Sequence, residues 1–115
     1  MEIKNAKISD VSISMADHEC LTFYLSLNGG GWGCNFGGYC IGKGHLGAKE
    51  FSATNGDGLV AMMKIMDVVG VHTWEDLKGK YIRCIVRGWG DTIDEIGNIM
   101  EDKWFNIRKF FAKEE

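Results

Sequence analysis

The sharpest pattern in the chain is the alternation over residues 20–28. Leu21, Phe23, Leu25 and Leu27 are apolar, and Thr22, Tyr24 and Ser26 stand between them. A period of two places one set on the core face of a half-buried strand and the other on its outer face. Residues 2–15 carry a weaker form of the signal in Ile3, Ile8, Val11, Ile13 and Met15, regular only from Val11 onward, with Asp10 marking a bulge or bend. Asn28-Gly29-Gly30-Gly31 reads as a turn, because Asn and Gly accept positive φ cheaply. Trp32 to Ile41 then returns as a third strand carrying Trp32, Cys34, Phe36, Tyr39 and Ile41. Its parity slips between Phe36 and Tyr39, which predicts a bulge at Gly37-Gly38.

Beyond an irregular stretch at 42–53 the period changes. Asn55 or Asp57 is an N-cap, and Leu59, Met62, Met63, Met66 and Val69 recur at helical spacing. Ala61, Ile65 and Val68 widen that face, and Gly70 stands where a left-handed C-cap is wanted. Thr73 to Asp76 resembles a capping box for one helical turn that ends at Gly79. Residues 80–87 read as a strand, 88–91 as a turn, 92–100 as a last strand and 105–111 as a short helix. The expected fold is α+β: a mostly antiparallel five-stranded sheet, in order β-β-β-α-β-β-α, with one long helix packed on one face.

Composition narrows the functional classes. A chain of 115 residues, 45% hydrophobic and 25% charged, is expected to form a single domain over residues 1–115. A net charge of −3 argues against nucleic acid, which needs Lys and Arg to displace counterions from phosphates. No apolar run approaches a membrane span, and the opening residues Met1 to Asn5 reach charge at once. A cytoplasmic location is expected, with Cys20, Cys34, Cys40 and Cys84 as reduced thiols.

Candidate chemistry concentrates where glycine does. Nine of the sixteen glycines fall between Gly29 and Gly47. Gly37 to Gly44 nearly matches a phosphate-binding loop, but Gly44 replaces the Ser or Thr after Lys43 and no helix follows directly. Gly42, Gly44 and Gly47 have dinucleotide-fingerprint spacing without the βαβ unit it requires. His18, Cys20, Cys34, Cys40 and His45 lack the tight pair spacing of a zinc site, so no metal or cofactor is expected. Asp17-His18-Glu19 has the composition of an acid–base turn, and Asp91, Asp94 and Glu95 are grouped carboxylates; both read as solvated surface. The remaining reading is a sheet surface thinned by glycine, on which Trp32, Phe36 and Tyr39 form a touchable platform. Lys43, Arg83 and Arg87 supply positive charge, and Trp89, held between Gly88 and Gly90, lines a groove with the arginines.

Several stretches carry a family resemblance. Met1 to Ile8, Phe36-Gly37-Gly38-Tyr39, Val68 to Val71 followed by Trp74 to Lys80, and Ile96 to Ile99 followed by Asp102 to Phe105 resemble small uncharacterised proteins encoded by bacteriophages and prophages. The resemblance implies a phage product in a bacterial cytoplasm and transfers no catalytic residue. The expected function is a non-enzymatic accessory protein, with an anti-defence role in view. It would bind a host protein or a small signalling ligand through Trp32, Phe36, Tyr39, Lys43, Arg83, Arg87 and Trp89, with self-association left open. Two alternatives stand beside it: an oligomer that sequesters nucleotides, and a small hydrolase using a Cys/His pair.

Overall fold

The computed structural model describes residues 1–17, 19–88 and 92–113, with 16 and 17 described by backbone alone. Its strands are β1 (Glu2–Asp17), β2 (Cys20–Asn28), β3 (Gly33–Lys43), β4 (Ser52–Ala53), β5 (Tyr81–Val86), β6 (Glu95–Asn98) and β7 (Trp104–Asn106). The helices are α1 (Asp57–Val69) and α2 (Ile107–Phe111), with a single 3-10 turn at Glu75–Leu77. All seven strands form one antiparallel sheet in the order β4-β3-β2-β1-β5-β6-β7.

The expected five-stranded sheet under one long helix is therefore wrong. Seven strands share the sheet, and the helices are short, at 13 and 5 residues. Ser52–Ala53 is too brief to show any alternation. Residues 92–100 do not form one strand: β6 ends at Asn98, whose Oδ1 accepts the backbone N–H groups of Met100 (2.9 Å) and Glu101 (2.8 Å). That side chain closes a turn and returns the chain as β7, and Asn106 caps α2 by accepting from the Lys109 N–H.

The long first strand is shared. Residues 2–7 pair with β5, residues 7–17 pair with β2, and a bulge between Ile8 and Asp10 bends it. Its partners curl around one core of Ala6, Ile8, Phe23, Leu25, Leu27, Phe36, Ile82, Cys84, Ile96 and Phe105. α1 closes the concave side with Ala61, Ile65 and Val68. The apolar stripe expected from Leu59 and Met63 points elsewhere: they are 66% and 56% exposed. Gly58 explains the rotation, because a Cβ there would collide with Ile41 of β3. The helix start lies directly on the strand, and this close approach brings the Ala61–Ile65–Val68 line inward.

The bulge expected at Gly37-Gly38 is present. Thr22 pairs with Cys40 and Tyr24 with Gly37, so β3 advances one residue more than β2. Gly70 caps α1 in left-handed geometry, as its position suggested.

Candidate functional site

Curling of the sheet opens a cavity of about 630 Å³ at one end of the concave side. Its lining comes from the start of β1 (Glu2, Lys4), the β2–β3 turn and the start of β3 (Trp32, Cys34, Asn35), the end of β5 (Val86, Arg87), and Thr92 and Ile93. Strand parity explains two of these positions. Lys4 shares its face with buried Ala6 and Ile8, and Cys34 shares its face with buried Phe36. These inner positions run past the end of the core and become the walls of an open mouth.

Trp32 is fixed by local chemistry. Asn28 Oδ1 accepts the Gly30 N–H at 2.8 Å, and the Gly29 N–H donates to the Trp32 carbonyl at 2.9 Å. The turn lays the indole directly on Gly29, where any side chain would occupy the ring's space. Lys4 Nζ stands 6.0 Å from the ring centroid, at the outer limit of a cation–π contact. Trp32 is half-buried, so one part of the ring is packed and another is open to the cavity.

Of two neighbouring thiols, Cys34 lines the cavity and Cys84 lies buried in the core. Cys34 Sγ donates to the Asn35 carbonyl at 3.3 Å, and Cys84 Sγ to the Lys4 carbonyl at 3.5 Å. Burial pushes the Cys84 thiol up to about 11, with nearby Cys34 adding to the rise and Lys4 opposing it. Cys84 is therefore protonated at neutral pH and is a poor nucleophile there.

The remaining candidates do not converge on this cavity. Phe36 is 0% exposed, because it stands on the core face opposite buried Leu25; it is not part of a surface platform. Tyr39 stacks on Phe111 of α2, with centroids 4.4 Å apart and planes at 14°. Burial raises its phenol pKa, Asp94 adds to the rise, and Arg108 opposes it. Lys43 lies at the far end of β3, roughly 30 Å of strand from Cys34. Arg83 is spent on structure: its Nε donates to the Asn98 carbonyl and its guanidinium to the Glu101 carbonyl, both at 2.7 Å, while it stacks 4.7 Å over Trp104. Trp89, His18 and Asp91 lie outside the described residues, though Gly88 beside Trp89 lines the cavity.

No family model, curated protein or solved structure matches this chain. The phage resemblance thus rests on the quoted residues alone. Among the described residues, no group of three or more His, Cys, Asp or Glu side chains is placed to hold a metal. No helix there is long and apolar enough to cross a membrane.

Of the expected residues, the cavity gathers Trp32 and Arg87. It adds Lys4, which inspection of residue types missed because lysine is read as outward-facing. The signal was present in its parity with Ala6 and Ile8. The assignment of Arg83 to the β6–β7 turn has a direct test. Arg83→Lys keeps the charge but cannot span two carbonyls, so urea denaturation should show a loss of about 1–2 kcal/mol. A loss near zero would return Arg83 to the list of free cations.

Proposed function

We propose that this protein works by binding, and that its site is the mouth of the curled sheet. The ligand it fits is a small anion with a flat apolar body. One observation carries the reading: Trp32, Lys4 and Arg87 line one cavity together with Val86, Ile93 and Cys34. A flat ring stacks on indole, an anionic group pairs with the two cations, and the last three offer apolar contact. Glu2 on the rim disfavours a second negative group on its side. The nucleotide reading narrows to this same cavity, with a base on Trp32 and phosphate at Lys4 and Arg87, and without Arg83 or Lys43. In the phage setting implied by the resemblance, such a protein would sequester a host signalling molecule.

A Cys/His hydrolase would need chemistry outside this cavity, since its lining holds Cys34 and no histidine. His45 Nδ1 meets the Leu46 carbonyl at 3.0 Å, and its Nε2 lies 3.9 Å from Glu19. That pair sits by the β1–β2 turn, at the opposite end of the sheet from Cys34.

The fluorescent probe 1-anilinonaphthalene-8-sulfonate combines fused rings with one anion. Titration should give a saturable 1:1 complex with a Kd on the order of 10⁻⁵ M, the affinity reachable by a ligand of that size. Trp32→Ala, and separately the double change Lys4→Met with Arg87→Met, should each weaken binding about tenfold while the protein stays folded. Unsaturable binding, or equal affinity in the Trp32 variant, would remove this site.

A further inference from the structure

We infer that the ligand of this site carries an amino group at the end away from its anion, and that Asp94 and Tyr39 receive it in a second, smaller cavity beside the mouth. The inference rests on the reading of the mouth as a ligand site, and it narrows the ligand to a flat aromatic anion bearing an amino group. The second cavity has a volume of about 220 Å³. Asn35, Thr92 and Ile93 line both cavities, so the two lie side by side. Along β3 the first takes in Cys34 and the second Gly38, up to about 13 Å of strand further on.

The bulge keeps this second space open. There β3 contributes Gly37 and Gly38, bare backbone with no side chain to fill the gap. Its polar groups are Asp94 and Tyr39, which stand close together without satisfying each other. The carboxylate is near enough to help raise the phenol's pKa, yet no hydrogen bond joins the two among the described residues. Asp94 Oδ1 accepts the Thr92 hydroxyl at 3.4 Å, a long contact that leaves most of the carboxylate's capacity unused. The Tyr39 ring is held by its stack on Phe111, which leaves its oxygen out of the packing contact. Arg108 is the nearby cation, but it is exposed, and among the described residues no ion pair ties it to Asp94.

The chemistry of the missing group follows from these two side chains. A carboxylate only accepts hydrogen bonds. The phenol keeps its proton at neutral pH, because burial and Asp94 both raise its pKa, and its oxygen accepts as well. An amino group brings two N–H donors, one for each oxygen. A hydroxyl brings a single proton and leaves one acceptor unmet, and a second anionic group is repelled by Asp94. With Lys4 and Arg87 lining the first cavity and Asp94 the second, the charges also fix the direction in which a ligand lies.

The test compares two fluorescent probes, 6-anilinonaphthalene-2-sulfonate and its para-amino derivative, which differ only by an amino group at the end far from the sulfonate. Both should bind the full chain saturably, and Trp32→Ala should weaken both alike. The amino probe should bind roughly five- to tenfold tighter than its parent. Asp94→Ala should bring the two Kd values to within about twofold of each other and leave the parent's unchanged. The tie from Asp94 to α2 is its backbone carbonyl, which accepts the Ile107 N–H at 2.9 Å and survives the substitution. Asp94→Asn, which keeps the shape and loses the charge, should cut the preference to no more than about threefold, and it serves if the alanine variant misfolds. Tyr39→Phe, which keeps the stack on Phe111, should lower the preference too. Equal affinity for the two probes in the unaltered chain, or a preference that survives in the folded Asp94 variants, overturns the inference; saturable binding of the parent probe then leaves the mouth standing as a site. If neither probe binds, the reading of the mouth falls and this inference falls with it.

Discussion

Gly37→Ala is expected to lower the melting temperature by roughly 10–15 °C, or to leave the protein insoluble. Gly37 has φ +114, a region that residues with a Cβ occupy only at a cost of about 1–3 kcal/mol. A Cβ there would also stand 2.5 Å from the Phe23 carbonyl oxygen. That oxygen belongs to β2, the strand paired with β3 at this point, so the backbone cannot retreat without opening the ladder. The two penalties add, since one is local to the residue and the other lies across the strands. Gly31→Ala is the matched control: nothing lies within 4 Å of its added carbon, and the change should stay within about 0.5 kcal/mol. Differential scanning calorimetry on both variants decides the matter. Equal melting temperatures would mean that the bulge does not depend on glycine.

Phe36→Ala is expected to cost about 3–5 kcal/mol in urea denaturation, with Phe36→Leu costing well under half of that. The ring is fully buried within the core shared by Leu25, Leu27 and Phe23, and truncation leaves a cavity that the sheet cannot collapse to fill. The contrast with Trp32→Ala is the informative part. Trp32 is half-buried at the mouth, so its loss should weaken the probe far more than it weakens the fold. A Phe36→Ala protein of nearly normal stability would put the ring at the surface and restore a continuous aromatic platform across β3.

The strands with clean alternation were legible because their faces are unequal. β2 repeats Leu21, Phe23, Leu25 and Leu27 at a period of two, and the break in β3 announced itself as a change of parity at two adjacent glycines; the further register shift at Leu21/Thr22, where Thr22 is buried, left no such sign. The seven-stranded count was not legible, because β4 and β7 span two and three residues and no period fits so short a window. The buried line of α1 was misplaced for another reason. Long side chains such as Leu59 and Met63 dominate a hydrophobicity reading, whereas the helix lies against β3 through its smallest residue there, Gly58. Proximity set the face, and side-chain size did not. The candidate site was half legible. An aromatic seated among glycines drew attention to Trp32, but sequence spacing cannot reveal that the N-terminal strand and the end of β5 bring Lys4 and Arg87 to the same opening. Of the two arginines only Arg83 was misplaced, since its surroundings alone show that its donors are already taken up by the β6–β7 turn.

The division of β1 between two partners fixes an order of events during synthesis. Its second half meets β2 across a tight turn and is able to zip as soon as residues 20–28 appear. Its first half must wait for a strand that follows some 80 residues later, as the contact of the Cys84 thiol with the Lys4 carbonyl records. At ordinary ribosomal speed that wait is roughly 4–16 s, long against the microseconds needed to form a hairpin. The first half of β1 is thus made long before the strand that holds it, and the mouth of the sheet exists only once the two have met.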